Sequence, residues 1–218
     1  MNLLMLLFLI FFTSFSFSSL IFSLNFSFAS VSEYQLQLRW GTAGTENGQF
    51  MVPHSMAFDS EGNIYVTDVN NHRIQKFTSD GEFITKWGSE GNGDGEFSSH
   101  AHGVTKDSFD NFYITDRFNH NVQKFTSDGE FITKWGSEGN GDGEFGLPLG
   151  IGSDSKGNIF IIDQATSSIP KFSNQGQFLN KIIFNFDKLE DIEIDSNDDI
   201  YVTDRNKNEI LKFSQIIN

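Results

Sequence analysis

The segment QKFTSDGEFITKWGSEGNGDGEF occurs twice without a single difference, at 75–97 and at 123–145, an offset of 48 residues. Identity over such a length means that one supersecondary unit is used repeatedly. A chain of this kind folds by stacking copies of the unit rather than by building a single irregular core. Aligning the copies on IYVTD, FYITD, IFIID and IYVTD places Asp68, Asp116, Asp163 and Asp204 in register, so four copies are expected between residue 34 and the C-terminus.

Each copy reads as a four-stranded meander. In the first, SMAFD and IYVTD flank the turn SEGN, and RIQKF and EFITKW are joined at Ser79-Asp80-Gly81. The strands are rich in β-branched and aromatic residues, and the turns in glycine, asparagine and aspartate. One such meander leaves both its faces exposed, whereas several arranged about an axis bury them against one another. The fold class expected is therefore all-β: a β-propeller of four-stranded antiparallel blades, four in number. The fourth copy ends at EILKF with no fourth strand, while residues 34–40 (YQLQLRW) align with EFITKW and precede the first copy. The N-terminal strand is thus expected to close the last blade, with a truncated or open array as the alternative.

NHRIQKF at 71–77, NHNVQKF at 119–125 and the linker GSEGNGDGEF resemble the NHL-repeat propellers, over nearly all of 33–218. That resemblance implies the same blade architecture and a role in binding a protein or peptide ligand. Propellers of that family commonly have six blades.

Residues 1–32 contain no charged side chain and open with LLMLLFLIFF, followed by a Ser- and Phe-rich stretch. This reads as a secretory signal, with cleavage expected after Ala29 and an uncleaved membrane anchor as the alternative; a basic n-region is absent. A secreted or extracytoplasmic location follows. The whole net charge of −14 falls beyond residue 32, and so acidic a surface argues against nucleic acid as a partner. There is no cysteine, hence no disulfide and no thiol chemistry.

The linker carries Glu90, Asn92 and Asp94 at alternate positions, a superficial likeness to a calcium loop. The twelfth position, which should be a bidentate Glu, is Ala101 in one copy and Leu149 in the other. It is read as a blade connection. The four recurring aspartates, with His72 and His120, are read as structural, the aspartates accepting backbone N–H bonds from the turn that follows them. Trp40, Trp87 and Trp135 are read as blade-to-blade packing.

His54 and His102 are different. They align with each other at the start of the innermost strand, in VPHSMAF and HAHGVTKD, where the other copies carry Leu149 and Glu190. Two imidazoles and a carboxylate at the channel mouth form a candidate metal site of zinc or calcium type: His54, His102, Glu190. These segments also resemble those of the peptidyl-α-hydroxyglycine amidating lyases, whose zinc-binding histidines lie in PHG and PHS contexts. The resemblance carries over only His54 and His102, and its third histidine is replaced by Glu190 or by nothing. The readings are a non-enzymatic scaffold without a cofactor, a metal-dependent lyase or hydrolase in the channel, and an acidic calcium-responsive surface module; no other nucleophile or phosphate-loop motif is present.

Overall fold

A computed structural model describes residues 35–183 and 188–214. The secretory-signal reading of 1–32 and most of the shortened fourth linker lie outside the described residues. The chain divides into two units between Leu36 and Gln37, and the propeller belongs to the second.

Two short strands, β1 (Thr42–Ala43) and β2 (Gln49–Phe50), form a parallel pair. The first blade follows as β3 (Pro53–Phe58), β4 (Ile64–Asp68), β5 (Arg73–Phe77) and β6 (Phe83–Trp87). The second is β7 (Ala101–Lys106), β8 (Phe112–Asp116), β9 (Asn121–Phe125) and β10 (Phe131–Trp135). The third is β11 (Pro148–Ser153), β12 (Ile159–Asp163), β13 (Ser168–Phe172) and β14 (Phe178–Ile183). The fourth contains β15 (Leu189–Ile194), β16 (Ile200–Asp204) and β17 (Glu209–Phe213). Each blade's sheet is an antiparallel meander in sequence order. This is the four-bladed all-β propeller that the repeats predict. Inner strands β3, β7, β11 and β15 lie side by side at its centre.

The closing strand is where expectation and structure part. Residues 35–40 take no strand, and the fourth sheet has three strands among the described residues. Trp40 nevertheless behaves as the alignment implies, because its indole packs on Phe77 and lies over Gly81 of the first blade. Trp87 covers Phe125 and Gly129 in the same way, and Trp135 covers Phe172 and Gly176. An aromatic anchor needs only its ring in place, whereas a strand needs a run of backbone partners.

Blades pack through the apolar residues of their middle strands. Tyr65 stacks on Phe112 of the next blade at 3.6 Å between ring centroids, inside a cluster with Ile74, Val104, Ile114 and Phe125. Its hydroxyl donates to Asp59 Oδ2 (3.0 Å) and to the carbonyl of Ser127 (2.9 Å) across the junction. Tyr113 repeats the arrangement with Asp107 and Asn174. Burial works against ionisation of Asp107, but donors from Asn111 and Tyr113 outweigh it and hold its carboxyl below the usual range. Among the described residues, the two ends of the array lack such neighbours. Met56 stands where Val104, Ile151 and Ile192 are buried, and it is 62% exposed. Ile210, in the place of the buried Ile74, Val122 and Ile169, is 65% exposed.

The recurring aspartates are structural, and their partners are largely those of the linker before the blade. Asp68 accepts the N–H of Met51, Asp116 that of Ser98, and Asp163 those of Gly146 and Leu147. The turn that follows also donates, as expected: Asn119 N–H to Asp116, the Asn71 and Asn119 amides to Asp68 and Asp116, and the Asn206 and Lys207 N–H groups to Asp204, which has no linker partner among the described residues. The carboxylates of the first three blades therefore clamp the incoming linker to the head of the inner strand. The linkers are pinned further by Phe97 and Phe145, both fully buried, and by Glu96 and Glu144, whose carboxylates accept the N–H groups of Gly93 and Gly141. His72 and His120 sit at positive φ, with Nδ1 against the carbonyls of Phe97 and Gly146.

Candidate functional site

The inner strands enter the propeller centre through a shared irregularity. Register slips between Pro53 and Met56, between Ala101 and Val104, between Pro148 and Ile151, and between Leu189 and Ile192. Each bulge turns the second strand residue, namely His54, His102, Leu149 or Glu190, away from regular pairing. Bulges re-aim side chains in this manner next to binding sites. A threonine fills the gap: Thr67 Oγ1 accepts the N–H of Ser55 and donates to the carbonyl of His102, and Thr115 Oγ1 accepts from Gly103 and donates to Leu149. Each threonine thereby ties one inner strand to the next. The strands approach so closely that a Cβ on Gly103 would stand 2.8 Å from the carbonyl oxygen of Leu149.

His54 and His102 meet at the mouth, with ring centroids 3.9 Å apart. Together with Ser55, Gly103, Glu190 and Asp191 they line a cavity of about 140 Å³. All three residues singled out from the sequence therefore converge on one space, whereas Leu149, the fourth member of the register, is buried in the core. Burial first, and then the neighbouring His54, Arg117 and His100, push the His102 imidazole down to about 3, so it is neutral at pH 7. Neutral imidazole is the form that ligates metals. The donor set is incomplete for such a role. Glu190 Oε1 lies 3.4 Å from the Arg205 guanidinium, and among the described residues no three His, Asp or Glu side chains converge on one metal position.

Around this cavity runs a rim that sequence reasoning missed. Once per blade, the residue after the second strand donates its backbone N–H to the residue two positions before the bulged one: Val69 to Val52, Arg117 to His100, Gln164 to Leu147, Arg205 to Lys188. The rim is thus apolar in the first blade and cationic in the second and fourth. Phe118 joins the second pair, its ring 4.7 Å from that of His100 and 5.6 Å from Arg117 Cζ. The signal was present in the sequence as disagreement between otherwise similar copies at positions 52, 100, 147 and 188.

Comparison with known proteins fits this geometry. Residues 50–77 match the family described as NHL repeat, and residues 102–189 match one described as a 6-bladed beta-propeller. The chain is a β-propeller that contains an NHL repeat. Over 58 residues it is 38% identical to Protein brain tumor of Drosophila melanogaster, a stretch covering 27% of this chain and 6% of that protein. Over 48 residues it is 44% identical to human NHL repeat-containing protein 3, covering 22% of this chain and 14% of that one. The chain thus matches only a small part of the length of those relatives. Among solved structures, a streptogramin B lyase superposes with a TM-score of 0.56 at 18% identity, over 76% of this chain and 55% of its own. The WD40 propeller domain of Doa1 gives 0.56 at 14% identity, over 81% and 54%. The propeller described here therefore spans about half the length of those solved chains, and at such identity the likeness is one of fold.

Proposed function

We propose that this NHL-type propeller is an extracytoplasmic protein- or peptide-binding scaffold whose ligand seats on the channel-mouth face. The observation that carries the reading is the concentration of exposed apolar side chains there: Met51, Val52 and Phe118 are 46%, 54% and 49% exposed beside the His54–His102 cavity. Exposed aromatic and apolar groups on a rigid rim are what a peptide anchor needs. The extracytoplasmic part rests on the uncharged apolar run at 1–32. The test is a displayed random-peptide selection on the full chain, followed by Val52→Glu and Phe118→Ser. Both should lose the selected peptides, and Phe109→Ser, altering an exposed ring in the turn at the opposite end of the blade, should keep them. Equal loss in all three variants would refute the placement.

A second reading, a zinc-dependent lyase in the channel, is favoured by the shared cavity of His54, His102 and Glu190. The two imidazoles would hold the ion, with Glu190 freed from Arg205 as third ligand, and zinc would supply Lewis-acid polarisation of the substrate. Elemental analysis of purified protein after dialysis decides it: near-stoichiometric zinc that disappears in the His54→Ala/His102→Ala variant supports the lyase, and its absence removes that reading.

A further inference from the structure

The rim contains a feature that a generic peptide scaffold does not require. Arg117 is half-buried, its guanidinium makes no hydrogen bond or ion pair with any described residue, and its Nε is buried without a partner. His100, bonded to it through the backbone, likewise has its Nδ1 buried and unpartnered. Arg39, Lys86, Lys156 and Lys188 also lack an ion pair among the described residues, but of these unpaired cations only Arg117 has a side-chain nitrogen buried without a partner. Leaving buried donors unsatisfied costs free energy, so such groups in a folded protein call for an explanation. Elsewhere the buried cations are matched: Arg73 with Asp68, Lys76 with Asp59, Lys124 with Asp107.

We infer that Arg117, with His100 and the ring of Phe118, is the reading site for a carboxylate-bearing segment of an acidic peptide. The inference rests on the peptide-scaffold reading and names the chemistry of its ligand. Arginine presents paired donors in a planar fork that matches a carboxylate, and the Phe118 ring beside it holds the guanidinium in place. Across the mouth, Lys188 and Arg205 occupy the equivalent rim positions, and Arg205 already neutralises Glu190. The cavity between therefore presents no unbalanced carboxylate from Glu190 to an arriving anion. A nucleic acid is disfavoured because the linkers at the edge of this same face carry the exposed acids Glu90 and Asp94 and their repeats Glu138 and Asp142. A long polyanion would have to cross them, whereas a short acidic segment stays inside.

The experiment is fluorescence anisotropy on the full chain with a fluorescein-labelled decapeptide of alternating Glu and Gly, the same peptide with Gln or Lys in place of Glu, and an oligouridylate of equal length. The Glu peptide should bind, and more weakly as salt is raised. Arg117→Ala should weaken it about tenfold or more and Arg117→Lys by less, since lysine keeps the charge and loses the fork. Lys156→Ala, at the opposite end of the third blade, should change nothing. If the Gln peptide binds as well as the Glu peptide and Arg117→Ala is silent, the acidic specificity falls while the scaffold reading stands. Binding of no peptide, from this set or from the random selection, removes both. Oligouridylate binding more tightly than the Glu peptide replaces the ligand class with nucleic acid and overturns the inference.

Discussion

Replacing Asp163 by Asn isolates what the linker clamp contributes. Asp163 is 1% exposed, and each of its oxygens has its own work: Oδ2 accepts the N–H of Gly146 at 2.9 Å, and Oδ1 that of Leu147 at 2.8 Å. An amide supplies one oxygen, so one backbone donor is left facing an NH2 group in a buried setting. The expected loss is about 2 kcal/mol, the desolvation cost of a stranded donor plus the weakening that follows loss of charge. Asp204 is equally buried but different, because Asn206 and Lys207 both donate to its Oδ1, while Oδ2 has no hydrogen-bond partner among the described residues and only a long, 3.9 Å ion pair to the part-exposed Lys207 ammonium. An asparagine there keeps both bonds and loses only the long ion pair to a part-exposed lysine, so the change should fall within about 0.5 kcal/mol. Urea unfolding followed by tryptophan fluorescence reads the contrast. With a slope of about 2 kcal/mol per molar, Asp163→Asn should lower the midpoint by about 1 M and Asp204→Asn by a quarter of that or less. Equal midpoints for the two variants would refute the claim that the carboxylates of the first three blades act through the linker.

Two further outcomes follow from the geometry. Gly129 and Gly143 share a φ of +86°, but a Cβ at Gly129 would stand 2.5 Å from the Trp87 ring while one at Gly143 meets nothing within 4 Å. Gly143→Ala should therefore cost about 1–2 kcal/mol of backbone strain and Gly129→Ala clearly more, the excess measuring the tryptophan contact; equal midpoints would show that the contact contributes nothing. For pH, the folded-state value of His102 is lowered to about 3 while the unfolded chain titrates near 6.5, so its contribution is complete above pH 6.5. It is lost as pH falls towards 3, because the unfolded chain takes the proton first. The urea midpoint should decline between pH 6.5 and 4, above the range of the lowered Asp59 and Asp107 carboxyls, and His102→Gln should flatten that decline; an unchanged slope would sink the assignment.

The blade boundaries were legible because strand grammar repeats with the unit, and a repeat shows itself by comparison within one chain. The meeting of His54 and His102 was legible for the same reason: alignment placed both at the second residue of an inner strand. The bulge that aims them there is a matter of register, which no pattern of residue types states. Residues 35–40 copy the composition of an outer strand, yet pairing depends on a partner edge in reach, and the alignment carried only the tryptophan's packing. The aspartates were read as structural from their recurrence. Their bonds to the linker were not readable, since the turn that follows and the linker that precedes both offer free N–H groups. His100 stands out in the sequence as part of an insertion peculiar to the second blade, but its pairing with Arg117 escaped notice because the two lie 17 positions apart and are joined by one backbone bond.

The duplicated segment has a consequence for how the chain reaches this structure. From Gln75 onward β5, β6 and the linker after them are identical to β9 from Gln123, β10 and their linker, and β5 differs from β9 only in Arg73 and Ile74 against Asn121 and Val122. During refolding, β4 meets two nearly identical suitors, the correct one following a short turn and the wrong one a further blade away. Loop-closure entropy favours the near copy within one chain only modestly. At high concentration the same surfaces on another molecule compete, so entanglement by exchange of whole half-blades becomes a concentration-dependent rival to the monomer.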